Sequence, residues 1–170
     1  MVHTVILTGP PGAGKSTING ILAKKVPNSA IVSSDALRSF VKNGYAKRGD
    51  TDWEAQLSLG VKNSILLAKS FYKNGFNVFM DDILCNREKF DEYHNSLKDC
   101  NLKIILLLPN KEVVAKRDLE RGEWAMKERA MYLYGKFEEF LKEEDKFFII
   151  DSSNQSPEET AKIIEEEISK

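Results

Sequence analysis

The stretch Gly9-Pro10-Pro11-Gly12-Ala13-Gly14-Lys15-Ser16-Thr17 sets an amine and two hydroxyls directly behind glycine-rich backbone. It fits the pattern G-x-x-x-x-G-K-[ST] at every fixed position, and each position has a chemical reason. Glycine lets the chain turn close to phosphate oxygens, so that backbone N–H groups and a helix N-terminus meet negative charge. Lys15 has the reach to pair with β- and γ-phosphates, and the Ser16 hydroxyl can ligate Mg²⁺. The flanks suit this chemistry. Thr4-Val5-Ile6-Leu7 leads in as a strand, and Ile18, Ile21, Leu22 and Val26 lead out at helical spacing. A chance glycine-rich turn would carry neither flank, so residues 9–17 are expected to hold a nucleoside triphosphate.

Two acidic segments have the chemistry that such a loop needs nearby. In Ser33-Ser34-Asp35-Ala36-Leu37-Arg38, Asp35 and Arg38 share a face if Ser34 caps a helix. A carboxylate at a strand end can accept the proton of an attacking hydroxyl, and Arg38 can then fix the acceptor. The alternative, an aspartate that only stabilises a helix N-terminus, loses weight beside a phosphate loop. In Val78-Phe79-Met80-Asp81-Asp82, an apolar run ends in acid, the Walker B pattern that holds Mg²⁺ directly or through water. Successive strand side chains point opposite ways, so one of the two faces the metal, and the sequence leaves open which. Asp81 is assigned to the metal with Ser16; Asp82, nearer the exit loop, rivals Asp35 for the acceptor side.

The segment Lys116-Arg117-Asp118-Leu119-Glu120-Arg121-Gly122 reads as a helix end capped by Gly122, with Arg117 and Arg121 on one face. The helical pattern resumes with Met126, Ala130, Leu133, Phe137 and Leu141 inward, which leaves Arg129 off that stripe. An arginine over the γ-phosphate neutralises charge as the phosphoryl group moves, worth about 10³–10⁵ in rate. A solvated helix end is the ordinary alternative for any one of them. As a set, residues 117–130 are expected to form a lid, with Arg121 as the clamp and Arg129 in reserve. Asn110-Lys111-Glu112-Val113 lacks the aspartate of a guanine-reading motif, so ATP is the expected donor.

These residues need strands and helices to position them. After the first strand, short apolar runs recur at Ala30–Ser33, Asn77–Met80, Lys103–Leu108 and Phe147–Ile150, as in parallel strands buried on both faces. Thr51-Asp52-Trp53-Glu54 reads as a capping box for a long helix whose core stripe is Trp53, Leu57, Val61, Ile65, Ala68 and Tyr72, closed by Gly75. Ser156-Pro157-Glu158-Glu159 opens the last helix, with Ile163, Ile164 and Ile168 inward. The expectation is a three-layer α/β domain over residues 1–170, with ligands at the carboxyl ends of its strands.

Twenty-six acidic and 25 basic residues give a net charge of −1 over 170 residues, so no global field draws nucleic acid or membrane. Cys85 and Cys100 lack metal-like spacing and suit a reduced compartment, with a disulfide between them left open. His3 and His94 are isolated and read as structural or solvent-facing. Ile104–Leu108 is too short to span a bilayer, and the first residues lack a basic signal region, so a cytoplasmic location is expected.

In order along the chain, the phosphate loop, Ser34-Asp35-x-x-Arg38, Asp81-Asp82, Arg117-x-x-x-Arg121-Gly122 and Ile150-Asp151-Ser152-Ser153 resemble the zeta-toxin, chloramphenicol phosphotransferase and polynucleotide 5′-kinase group of P-loop kinases, small AAA-ATPase-like phosphotransferases. The resemblance implies a nucleoside-monophosphate-kinase-like core, a P-loop NTP hydrolase fold with a parallel five-stranded sheet in order 2-3-1-4-5, and transfer of the ATP γ-phosphate to a hydroxyl. By position it makes Asp35 the general base and Arg121 the lid arginine. Arg38 matches the residue that grips the acceptor's phosphate in polynucleotide kinases. Arg117 and the loop from Ser152 to Gln155 match the surfaces that sandwich adenine. The long helix from Trp53 to Tyr72, with its Gln56-Leu57-x-Leu59-Gly60 segment, looks more like small relatives of the chloramphenicol enzymes than like polynucleotide kinases.

The expected function is therefore an ATP- and Mg²⁺-dependent kinase of a small-molecule hydroxyl, with no membrane partner and an oligomeric state left open. A polynucleotide 5′-hydroxyl kinase is the alternative within the same chemistry. A slow ATPase acting as a regulatory switch is the alternative from another class.

Overall fold

The computed structural model describes residues 1–170, leaving aside the side chain of Trp124. Strands β1 (Thr4–Thr8), β2 (Ser29–Ser33), β3 (Asn77–Asp81), β4 (Leu102–Leu107) and β5 (Phe148–Ile150) form one sheet in the order β2-β3-β1-β4-β5. Every pairing is parallel, as the unbroken apolar runs predicted. Residues of β1 alternate between two cores. Ile6 joins Val78, Met80, Ile104 and Leu106 on one face; Val5 and Leu7 join Phe79, Ile105 and Leu107 on the other.

Helices α1 (Lys15–Lys25) and α7 (Pro157–Ile168) cover the second face through Ile18, Leu22, Ala161 and Ile164. Helices α3 (Trp53–Lys73), α4 (Arg87–Leu97) and α6 (Glu128–Phe140) cover the first through Val61, Ile65, Phe90, Tyr93 and Phe137. The short α2 (Ser34–Arg38) follows β2, and α5 (Lys111–Leu119) follows β4. Register then fixes what lies beside what. Ser33 pairs with Asp81, Asp81 with Leu7, and Leu7 with Ile105, so the carboxyl ends of β2, β3 and β1 stand level. The chain leaves β1 toward β2 and later returns on its other side to β4, which makes the end of β1 the switch point where such sheets open a crevice.

The helix signals met different fates. Helix α7 opens at Ser156 as expected, where Ser156 and Glu159 form a reciprocal box, and Gly75 (φ +82°) closes α3 with Phe76 N–H donating to Phe71 O and Gly75 N–H to Tyr72 O. The Thr51–Glu54 box does not form. Asp52 occupies the N-cap without a side-chain bond, because the chain enters α3 from a turn in which Asp50 accepts from Lys47 and its carbonyl receives Trp53 N–H. At α2 the cap is Ser33 rather than Ser34. Helix α5 ends at Leu119, before Arg121, and Gly122 (φ +61°) opens a 3₁₀ turn instead of capping it. Met126 is exposed ahead of α6 rather than part of its inward stripe. Helix α4 had a legible signal that went unread: Asn86 accepts from Lys89 N–H as N-cap, ahead of Phe90, Tyr93 and Leu97 at helical spacing. Cys85 and Cys100 are free thiols, and among the described residues no helix is long and apolar enough to cross a membrane.

Candidate active site

The loop after β1 has backbone geometry that side chains would forbid. Gly9 sits at φ +145°, and a Cβ there would lie 2.3 Å from Leu107 O. A Cβ on Gly12 (φ +86°) would lie 2.7 Å from Val114 O, so α5 can seat against the loop only because that position is glycine. The loop curls around the Lys15 amine, which donates to Gly9 O at 2.7 Å and Pro10 O at 3.1 Å. Burial pushes this amine down to about 8 and Arg121 adds to the fall, while Asp81, Asp82 and Asp35 oppose it. A desolvated ammonium among carboxylates is ready for an anion.

The β3 end separates its two acids as strand alternation requires. Ser16 Oγ donates to Asp81 Oδ2 at 2.9 Å. Asp81 Oδ1 is buried with no hydrogen-bond partner among the described residues, an orphaned acceptor beside a hydroxyl that a divalent cation would satisfy. The donor set therefore fits Mg²⁺. Asp82 faces the other way. It accepts from Tyr93 Oη at 2.7 Å, from the Lys89 ammonium, and from Ile83 N–H at 2.7 Å. Tyr93, itself 2.8 Å from Ser64 Oγ, is held well above the ordinary phenol range by burial and by the Asp82 charge. Asp82, expected at the acceptor, has its carboxylate occupied by α4.

Asp35 is open, with 85% of its side chain exposed. It sits two residues beyond Ser33, which pairs with Asp81. Arg38 is the reverse, 5% exposed. Its guanidinium donates to Asp35 at 3.5 Å, to Tyr45 Oη at 3.2 Å and to Ala46 O at 3.2 Å, and lies over the Trp53 ring at 4.3 Å. Trp53, expected in the core stripe, covers Arg38 instead. Gln56 pins the same loop by accepting from Ala46 N–H and donating to Gly44 O. Gly60 makes room from below, since a Cβ there would lie 3.0 Å from Arg38 Cγ and 3.1 Å from Ser34 O.

Across the loop, a cleft of about 420 Å³ is bounded by residues 11–18, Arg117, Arg121, Ser152, Gln155 and Thr160. Arg117 donates to Ser152 O at 3.0 Å and to Ser152 Oγ at 3.4 Å, which fixes the cleft's far wall. Arg121 lies outside α5 yet reaches the cleft, donating to Asp118 Oδ1 at 3.3 Å. Asp118, which sequence reading passed over, is 1% exposed and also accepts from Met126 N–H at 2.8 Å and Lys127 N–H at 2.7 Å. Lys127 has φ +49°, ψ −122°, a strained geometry that these bonds hold. Arg129 does not line the cleft. It is half-buried, its Nε has no partner among the described residues, and burial followed by the Arg48 charge lowers its pKa while the Asp35 carboxylate opposes the fall, which puts it on the Asp35 side.

Among known proteins, the chloramphenicol phosphotransferase-like protein family matches residues 2–169. Adenylate kinase of Rickettsia akari is 33% identical over 126 residues, and that of Rickettsia conorii 32%. The match takes in 69% of this chain and 57% of either enzyme, so the chain spans little more than half the length of these relatives. A tunicamycin resistance protein of Deinococcus radiodurans has a similar structure at 16% identity, with a TM-score of 0.70 and 99% and 96% of the two chains covered. Thymidylate kinase of Candida albicans is similar at 15% identity, TM-score 0.68, with 99% and 91% covered. At these identities the structures speak for the fold, the five-stranded parallel sheet of P-loop kinases.

Proposed function

This chain belongs to the chloramphenicol phosphotransferase-like family of P-loop kinases, and from that premise we propose that it transfers the ATP γ-phosphate, with Mg²⁺, to a hydroxyl of a small molecule. The observation that carries the reading is the exposed Asp35 carboxylate two residues beyond Ser33, which stands level with Asp81 in the sheet. Lys15 and the loop amides would hold the phosphates, and Ser16 with Asp81 the metal. Bound Mg²⁺ would neutralise charge on the phosphates. Asp35 would take the proton of the acceptor hydroxyl as its oxygen bonds to the γ-phosphorus and the bond to the β-phosphate oxygen breaks, releasing ADP. Arg121, on the segment 117–130 taken as a lid, would neutralise the moving phosphoryl group. Arg117 and Ser152 would flank the base, and Arg129 would serve the acceptor rather than the nucleotide.

Arg38 beside Asp35 favours one second reading, a polynucleotide 5′-hydroxyl kinase. That role needs the arginine released from beneath Tyr45 and Trp53, since its guanidinium is already engaged there. Transfer of labelled γ-phosphate from Mg-ATP into hydroxyl metabolites, antibiotics, nucleoside monophosphates and a 5′-hydroxyl oligonucleotide tests both. A labelled hydroxyl product that falls about 10²–10⁴-fold in Asp35→Asn is expected. Label confined to the oligonucleotide selects the second reading. Label in a monophosphate, undiminished in Asp35→Asn, overturns both, because an ionised phosphate acceptor has no proton to surrender. Free phosphate alone, equal in both proteins, points to a switch.

A further inference from the structure

Two arginines on the acceptor side make no ion pair among the described residues, Arg48 and Arg129. Arg48 stands exposed in the turn from Lys47 to Asp50, where Asp50 N–H donates to Lys47 O. The Asp50 carboxylate, its nearest acid along the chain, is turned back to accept from Lys47 N–H at 2.7 Å. Two residues before Arg48, the carbonyl of buried Ala46 receives the Arg38 guanidinium at 3.2 Å, and the same guanidinium reaches Asp35 at 3.5 Å. One side chain thus ties the Arg48 turn to Asp35. Arg129 comes from the other side, one residue before buried Ala130 in the first turn of α6, with its Nε desolvated and unpartnered among the described residues. The lowered pKa of Arg129, caused first by burial and then by the Arg48 charge, is what two such neighbours produce.

The charges here do not balance. Asp35 is the carboxylate that bears on Arg129, and Arg38 already draws on it. Cys85, which also bears on Arg129, is a thiol that burial holds in its neutral form. Like charges side by side, one of them half-buried, raise the free energy of the empty protein. An oxyanion between them removes that cost and meets the forked donors that guanidinium groups present. Neither arginine lines the nucleotide cleft, so the triphosphate of ATP is not that anion. We infer that the acceptor itself carries an oxyanion, a phosphate ester or a carboxylate, held between Arg48 and Arg129 while its hydroxyl meets Asp35. The inference rests on the hydroxyl-kinase reading and adds the substrate class: an alcohol phosphate or a hydroxy acid, rather than a neutral alcohol.

The test measures labelled γ-phosphate transfer into alcohols paired by one anionic group: glycerol beside glycerol 3-phosphate, and glucose beside gluconate. The first pair reads a phosphate ester and the second a carboxylate. An anionic member is expected to exceed its neutral partner in kcat/KM by at least about 10²-fold, because a site built on charged donors rejects a ligand that leaves them unpaired. Arg48→Ala and Arg129→Ala should each raise the KM for that anionic acceptor about 10–100-fold with ATP affinity kept. Arg129→Lys should lose less, since it keeps the charge and gives up only the fork. Neutral alcohols labelled as well as their anionic partners overturn the inference, and so does a KM unmoved in both alanine variants. If neither pair is labelled, the kinase reading loses support and anion binding decides the inference by itself. Inorganic phosphate is then titrated calorimetrically into protein saturated with Mg²⁺ and a non-hydrolysable ATP analogue. Binding that is lost when Arg48→Ala and Arg129→Ala are combined upholds the anion site. No binding to the wild type, or equal binding to both proteins, overturns it.

Discussion

The Ser16 hydroxyl donates to the Asp81 carboxylate at 2.9 Å, joining the phosphate loop to the end of a strand 65 residues away. Neither residue can take this position alone. Parallel pairing of β1 and β3 brings Leu7 level with Asp81, and the loop then turns back so that α1 begins within hydrogen-bond reach of that carboxylate.

If this pair holds Mg²⁺, Asp81→Asn and Ser16→Ala should each lower Mg²⁺-supported phosphoryl transfer by about 10–100-fold or more. Nucleotide binding measured without metal should change little. Because the two residues act as a unit, the double variant should lose less than the product of the single losses. Calorimetric titration with and without Mg²⁺ checks this; equal loss in both conditions would assign the pair to loop architecture.

The Lys15 amine makes nucleotide affinity depend on pH in a defined direction. Its free-protein value of about 8 lies below that of an ordinary lysine. Raising pH through 8 therefore strips the charge that meets the phosphates, and affinity should fall, approaching tenfold per pH unit. Near pH 8 binding should take up protons, visible as buffer-dependent binding heat. For stability the sign is opposite: between about 8 and the unfolded value the unfolded chain binds more protons, so this group's burial penalty lessens as pH rises.

Asp118 is expected to organise the arginine segment. Asp118→Ala removes the buried acceptor that gathers two backbone amides and Arg121, and should lower stability by about 1–3 kcal/mol. Turnover should fall with Arg121 loosened while nucleotide KM changes less. Chemical denaturation and steady-state kinetics read the two effects separately.

Gly60→Ala should damage the acceptor side alone. The added methyl meets Arg38 Cγ and Ser34 O, and overpacking of this kind costs about 1–3 kcal/mol. Acceptor KM should rise with ATP affinity kept. Gly20→Ala in α1, where nothing lies within 4 Å, is the control, and should stabilise by about 0.5–1 kcal/mol. A rise in acceptor KM in both variants would mean that Gly60 has no special role.

The sequence determined the sheet and the phosphate loop, because both are written locally. Buried parallel strands must be apolar on both faces, and a loop that wraps phosphate must carry glycine where a Cβ would strike Leu107 or Val114. That order of strands and motifs also carried the family, whose match extends over residues 2–169. The choice between Asp81 and Asp82 was not written locally, since adjacent acids look alike until register and α4 give one to Ser16 and the other to Tyr93 and Lys89. Trp53 read as core because spacing shows which face a residue shares but not what fills the space opposite; there it is Arg38, buried above Gly60. Arg121 lay on a helix by periodicity, yet the helix stops at Leu119 and Asp118 draws the chain back. Periodicity is a property of neighbours along the chain, whereas a buried carboxylate collects donors from wherever the fold brings them, and only the tertiary structure decides which.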